Sequence, residues 1–503
     1  MSDIKNDFAR IAPLEMQPEA FREVGHQLVD RIADFLAGWS ARPVTPGEPP
    51  SKIKELLGQG PLPEQGSDPS VLLAEAADLL FQHSLFNGHP KFWGYITSSA
   101  APIGAFGDFL AAAVNPNVGA WNLSPVASEI ERQTIQWIAE LVGYPSECGG
   151  LLVSGGNMAN FVGFLTARFA KAGWDIRAKG ASHADSAPLR VYASSETHTW
   201  ISKAADMFGL GTDAIRWIQT DSSARMDLQA LQNQIEQDKQ AGDRPLLVVG
   251  TAGSVGSGVV DPLVELSGIC RDHDLWFHVD GAYGALAACL PDADADLQAL
   301  RYADSVAIDP HKWLYAPLEA GCVLVKDRET LRNTFSYHPA YYKFDEVGGE
   351  ETVVYNEYGP QNSRGFRALK VWLGLRQVGR SGYAQMIAKD IELAGRLYKL
   401  VDEHPEFEAF SRHLSITTFR FVPKEMNTKG GRNEAYLDKL NTEILTRLQE
   451  GGEAFVSNAI INGKYALRAC IVNFRTSAKD IQELPDIIAK IGRQVDSEMR
   501  NSL

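Results

Sequence analysis

Cysteine is scarce in this sequence. Five copies (Cys148, Cys270, Cys289, Cys322 and Cys470) are scattered through 503 residues, and no CxxC pair occurs. That gives no basis for a disulfide framework or a zinc knuckle, and it points to a reducing, cytoplasmic setting. Positive charge is also short: 48 Lys and Arg stand against 63 Asp and Glu, a formal charge of -15. Nonspecific binding to nucleic acid or to anionic lipid favours the opposite balance, although a local basic pocket for a small anion remains compatible with it. Apolar runs are short, and none reaches the roughly 18 residues of a membrane span. The opening MSDIKNDFARIAPLEM lacks a basic start followed by an apolar stretch, so it does not read as a signal peptide. HxxxH, HExxH, Asp/Asn-rich calcium loops and GxSxG are all missing, which leaves metal catalysis and a serine hydrolase without a motif.

What the chain does carry is an ordinary globular composition, 45% hydrophobic and 22% charged, at a length that predicts two or three domains. Residues 18 to 39 show an apolar helical stripe of Phe21, Val24, Leu28, Ile32, Phe35 and Leu36. The proline-rich connector SARPVTPGEPPSK follows. A helix on such a tether cannot bury its stripe alone, so it packs on its own large domain or on another subunit. From about residue 149, strands alternate with helices; GGLLVSGG, LRVYASSETH, RPLLVVGTAG, LWFHVDGAYGA and DSVAIDPHK each mark a strand and its end. This predicts a mostly parallel α/β sheet with ligands bound beyond the carboxyl ends of its strands. After Trp372, LSITTFRFVPK and YALRACIVNFRT read as strands of a smaller α+β domain. The predicted organisation is an N-terminal helical segment (1–100), a large α/β domain (101–378) and a small C-terminal α+β domain (379–503).

Polar signals gather at the strand ends. Lys312 sits in DPHKWLY, just beyond a strand. A deprotonated lysine forms a Schiff base with an aldehyde, and burial favours that form, but a lone lysine after a turn is more often a surface residue. In LWFHVDGAYGAL, alternation places Trp276, His278 and Asp280 on one strand face. A carboxylate ending a core strand needs a partner: the pyridinium nitrogen of pyridoxal phosphate (PLP) is one, and a structural salt bridge is another. The small residues that follow, including Gly281 and Ala282, would let a flat ring approach the backbone. Gly155, Gly156 and Asn157 stand at the opening of a helix whose free N–H groups favour an anion, although Gly-Gly is often only a turn. The spacing is neither GxGxxG nor a P-loop. His198 could stack on a planar cofactor or serve as a helix-cap or core histidine.

On these residues the chain resembles the PLP-dependent group II amino-acid decarboxylases, especially the aromatic L-amino-acid decarboxylase branch, from FREVGHQLVDRIADF to ALRACIVNFRT. The most specific segment is Ser305, Val306, five residues, then Lys312-Trp313-Leu314. The resemblance implies the type I PLP-dependent transferase fold with a seven-stranded sheet, PLP as cofactor, and decarboxylation of an L-amino acid, aromatic by the branch, to an amine and CO2. It implies Lys312 as the cofactor lysine, His198 as the stacking residue, Asp280 as the pyridine partner with Ala282 beneath the ring, and Tyr341, in HPAYYK, as the catalytic acid. Gly155, Gly156, Asn157, Thr251, Asp309, His311 and Ser363 join the cofactor site; Tyr95, Ile96, Ser98, Trp121 and Leu318 line the substrate pocket. It also implies a homodimer with a shared active site, the N-terminal helix packing on the partner. Three departures bear on this. Asp309 replaces an asparagine common in animal members, and an acid facing a phosphate repels it unless it points away or bonds a backbone amide. Val255 replaces a threonine, and Ile96 and Leu318 replace pocket aromatics. These changes open the substrate more than the reaction. An acidic amino acid, an aldehyde-forming oxidative deamination and a catalytically silent PLP-fold binding protein are the alternatives.

Overall fold

Seven short apolar stretches form the central sheet of the computed structural model, which describes residues 12–183, 186–337, 346–347, 349–428 and 433–501. They are β1 (Gly149–Val153), β2 (Leu189–Ser194), β3 (Ile215–Ile218), β4 (Arg244–Thr251), β5 (Trp276–Asp280), β6 (Ser305–Ile308) and β7 (Gly321–Val325). Their order is β1-β7-β6-β5-β4-β2-β3. From β6 to β3 every pairing is parallel, whereas β7 runs antiparallel to both β1 and β6. All residues of β1, β5, β6 and β7 are buried. This is the condition of a sheet covered by helices on both faces, and it explains why these strands are mostly apolar along their whole length. Helix Gly156–Lys171 packs across β4, β5, β6 and β7. Its approach to β5 is close: a Cβ at Gly163 would come within 2.7 Å of the His278 ring.

A second, antiparallel sheet has the order β10-β11-β13-β12, from β10 (Phe407–His413), β11 (Ile416–Phe421), β12 (Ser457–Ile461) and β13 (Lys464–Cys470). Between the two sheets in sequence lies a small ribbon, β8 (Glu346–Val347) with β9 (Glu350–Glu351). Helices Glu434–Gly451 and Ala478–Asn501 cover the second sheet, and Leu437, Leu440, Ile444, Leu484 and Ile488 close a hydrophobic core of its own. The long helical stretch Ala368–Asp402 touches both sheets' neighbourhoods and breaks at Gly379, whose φ of 68° is left-handed.

Helix Pro18–Ala37 contains no buried residue. It leans on helix Pro69–His83 through Phe35, stacked on Phe81 at 4.3 Å, and through Arg31, which bonds Ala74 O. Phe21, Val29 and Ile32 stay exposed. The predicted stripe therefore exists, but only part of it finds cover within the chain.

Candidate active site

The strand ends converge as the alternating pattern predicts. A cavity of about 770 Å³ opens beyond the carboxyl ends of β1, β2, β4, β5 and β6, a volume suited to a small ligand. Register explains the convergence: Thr251 pairs with Asp280 and Asp280 with Ala307, so the last rungs of β4, β5 and β6 end side by side. The cavity brings together Gly155, Gly156, Asn157, His198, Thr251, Asp280, Ala282, Asp309, His311 and Lys312, with Tyr95 and Ile96 at another wall. The second sheet contributes Ser457, Asn458, Ala459 and Arg468.

Asp280 is held by neutral donors. Its Oδ2 accepts from Trp200 Nε1 at 2.8 Å and its Oδ1 from the Ala282 N–H at 3.2 Å. Behind it on the same face, His278 is fully buried. One ring nitrogen lies 2.7 Å from Asn160 Oδ1 and the other 2.7 Å from Ser305 Oγ, which also accepts from Trp276 Nε1. Asn160 Oδ1 can only accept, so Nε2 carries the proton; Nδ1 then accepts from the Ser305 hydroxyl, and both ring nitrogens have partners. Burial pushes the His278 pKa down to about 4, so the network is built around a neutral imidazole. His198 faces the cavity, and partial desolvation lowers its pKa against the pull of Asp280.

At the other corner, Lys312 Nζ lies 3.0 Å from Asp309 Oδ2, and His311 Nε2 lies 3.7 Å from the same oxygen. Desolvation lowers the His311 pKa, while Asp309 opposes that shift. His311 Nδ1 sits 2.6 Å from Ala320 O, and Ser98 Oγ donates to His311 O at 2.6 Å. Trp313 is wholly buried and stacks on Tyr283 at 4.6 Å. Its Nε1 and the Tyr315 hydroxyl both donate to Asp390 Oδ2, at 3.0 and 2.8 Å. The turn bearing the lysine is thus tied to the long helix. Desolvation raises the Asp390 pKa to about 7.

Several expected residues lie elsewhere. Ser98 stands behind the cavity wall, its hydroxyl bonded to the His311 carbonyl rather than open to a ligand. Trp121 Nε1 bonds Glu129, Leu318 is 61% exposed, and Ser363 is exposed; none of the three lines the cavity of a single chain. Tyr341 falls outside the described residues. Sequence reasoning missed Arg468, which is 3% exposed. Its Nη1 donates to Tyr95 O and Ser457 Oγ, while Nε and Nη2 have no hydrogen-bond partner among the described residues. The only sequence signal was an arginine inside an otherwise apolar strand, YALRAC.

Gly155, at φ 131°, turns the chain from β1 into helix Gly156–Lys171. That helix N-terminus faces the cavity, and beside it the buried Asp309 Oδ1 has no hydrogen-bond partner among the described residues. Free amides for a phosphate, a fixed carboxylate for a pyridine nitrogen and an amine for an aldehyde are the three groups that PLP requires, and all line one cavity. The residues present fit the cofactor.

Comparison with known proteins agrees. Residues 50–422 match the pyridoxal-dependent decarboxylase conserved domain. The chain is 33% identical over 483 residues to an aromatic-L-amino-acid decarboxylase of Bacillus atrophaeus, covering 96% of this chain and 97% of that one. It is 28% identical to a phenylacetaldehyde synthase of Petunia hybrida, covering 91% of each. The solved structure of Oryza sativa TDC with PLP and tryptamine superposes with a TM-score of 0.88 at 25% identity, over 96% of this chain and 99% of that chain.

Proposed function

The chain belongs to the pyridoxal-dependent decarboxylases, and within that family we propose that it converts an aromatic L-amino acid into the corresponding amine and CO2. It is a PLP-dependent amino-acid decarboxylase with the type I fold. The observation that carries the finer reading is the convergence of Lys312 and Asp280 on one cavity in a chain 33% identical to an aromatic decarboxylase. Bound PLP supplies an aldehyde that an amine can engage and a ring that takes up the electrons left by departing CO2. Lys312 is the anchoring amine. Asp280, positioned by Trp200 and the Ala282 amide at the cavity wall, is the carboxylate that would hold a proton on a ring nitrogen. His198 would stack on the ring, and Gly155 to Asn157 would offer amides to the phosphate. Arg468, a buried cation at the cavity wall, is the group a substrate carboxylate would pair with. Tyr341 is the proposed acid that returns a proton to the product.

The similarity to a phenylacetaldehyde synthase favours one second reading, decarboxylation coupled to oxidative deamination. A panel of L-amino acids, scored for CO2, amine, ammonia and peroxide, separates the two. Plain decarboxylation of tryptophan, tyrosine or phenylalanine yields amine with neither ammonia nor peroxide. Release of all three beside CO2 overturns it, and preference for glutamate or aspartate overturns the aromatic assignment.

A homodimer with a shared active site fits the surface. Phe21, Phe106, Phe109 and Leu110 are exposed and adjoin through the Phe21–Phe109 stack at 6.3 Å, an apolar area that a second chain would cover. Trp121, Leu318 and Ser363, absent from the single-chain cavity, are the residues a partner would bring. A monomer with full activity, by light scattering and assay, excludes this. A cytoplasmic site accords with five free cysteines and with no described helix long and apolar enough to cross a membrane.

A further inference from the structure

We propose that Asp309 sets how tightly this chain holds the cofactor phosphate, by standing in the phosphate cradle as an internal anion and pairing there with Lys312. The inference rests on the placement of phosphate at Gly155–Asn157 proposed above.

The geometry is specific. Asp309 is 2% exposed. Its Oδ2 lies only 2.7 Å from the position a Cβ would take on Gly156, so the carboxylate abuts the first turn of helix Gly156–Lys171. A carboxylate is favourable at a helix N-terminus. The same oxygen pairs with Lys312 Nζ at 3.0 Å, and Oδ1 has no hydrogen-bond partner among the described residues. Without cofactor, then, the cradle is already partly neutralised and the lysine already engaged. Loading reverses both conditions. A phosphate brings one and a half to two negative charges, roughly, to the same amides. Lys312, whose amine would join the aldehyde with loss of one water, would cease to be a free cation for Asp309. The charged or titratable groups left around Asp309 are His311, at 3.7 Å, with His198, Asp280 and Cys322 farther off. His311 Nδ1 lies 2.6 Å from Ala320 O and donates to it, which leaves Nε2 facing Asp309 as the one nearby site able to gain a compensating proton. A phosphate must therefore settle against an acid that has just lost its partner. An asparagine or alanine at 309 has no such charge to oppose it. The consequence is a cofactor held less tightly than the cradle allows, and an enzyme whose loaded fraction follows the supply of PLP.

The test uses the full-length chain freed of cofactor and measures dissociation constants for inorganic phosphate, PLP and pyridoxal, which lacks the phosphate. In Asp309→Asn and in Asp309→Ala, PLP and inorganic phosphate should each bind about tenfold tighter or more, from one removed charge a few ångströms away. Pyridoxal, which meets only the release of Lys312 from Asp309 and no phosphate repulsion, should tighten by clearly less than PLP. The alanine variant shows that the gain comes from lost charge rather than from a new amide hydrogen bond. Unchanged or weaker phosphate binding in both variants overturns the proposal. So does an equal shift for PLP and pyridoxal with phosphate unmoved, which would mean that Asp309 acts through Lys312 alone. Gly156→Ala checks the reading beneath it: the added methyl meets Asp309 Oδ2 and, at 3.1 Å, Ala282 Cβ, so phosphate binding should be lost. If Gly156→Ala binds phosphate like the wild type, the cradle lies elsewhere and both assignments fall.

Discussion

Two carboxylates end neighbouring strands of the same sheet, Asp280 at the close of β5 and Asp309 one residue beyond β6, and the protein treats them in opposite ways. Asp280 is fixed by an indole and a backbone amide, both neutral. Neutral donors hold a carboxylate without cancelling it, so its charge stays available to a cation arriving in the cavity. Asp309 is paired with a cation of its own chain and keeps one buried oxygen without a hydrogen-bond partner among the described residues. Its charge is committed until Lys312 is called away. The difference separates a preorganised electrostatic floor from a partnership that loading must rearrange.

The most severe way to break the comparison is Lys312→Ala. It removes the anchoring amine and leaves Asp309 buried without a counter-charge. Turnover should disappear, and borohydride should fix no cofactor to the chain. A variant that retained normal turnover would sink the scheme. Because the buried Asp309 charge is what loses its partner, the double variant Lys312→Ala/Asp309→Asn should unfold at higher denaturant than Lys312→Ala alone, although both are inactive. Next in size is Asp280→Asn, which keeps the shape of the side chain and removes the charge. The fall should lie in kcat, by about a hundredfold to a thousandfold, with little change in KM, as for loss of a charge aimed at the reacting state. A kcat within about threefold of the wild type would mean that the floor carries no catalytic charge.

The chemistry of these corners was legible because the information was local. Alternation in LWFHVD put His278 and Asp280 on one face, and strand-end placement put Lys312, His198 and the Gly155–Asn157 turn at the same edge. The sheet itself was only partly readable. β3, IRWI, is a four-residue edge strand with an exposed Trp217 and no unbroken apolar run. β10, FEAFSRH, is largely half-exposed and charged. Neither carries the pattern of a buried strand. Arg468 was missed for a different reason: it lies on a strand of the second sheet, more than 150 residues after Lys312, and nothing near it in sequence says which cavity its face will meet. Asp390 is similar, a helical acid whose partners Trp313 and Tyr315 come from the lysine turn. For Trp121, Leu318 and Ser363 even a correct motif cannot say whose cavity they serve, since one chain leaves them outside.

The smallest expected effect tests whether the Asp280 corner is one unit. His278 sits behind Asp280, with the Trp200 ring edge-on at 5.6 Å, and its hydrogen bonds suit the neutral ring that burial favours. Burial holds its pKa near 4 in the folded chain, against about 6.5 when unfolded. Between those values the unfolded chain binds the extra proton, so stability falls as pH falls. The contribution is complete above about pH 6.5, declines through the window and levels off below about pH 4, for a total of about 3 kcal/mol. Asp261 and Asp390, raised by burial to about 6 and about 7, work in the opposite direction over much of that range, because a buried acid favours its protonated form. Wild-type unfolding alone would therefore understate the histidine. The difference between the wild type and His278→Gln cancels the two acids, since both proteins contain them. Urea midpoints measured from pH 7 to pH 4.5 should show the wild type losing more stability than His278→Gln as the pH drops. Parallel curves would mean that His278 titrates alike in the folded and unfolded chains, and that the neutral network behind Asp280 does not hold as a unit.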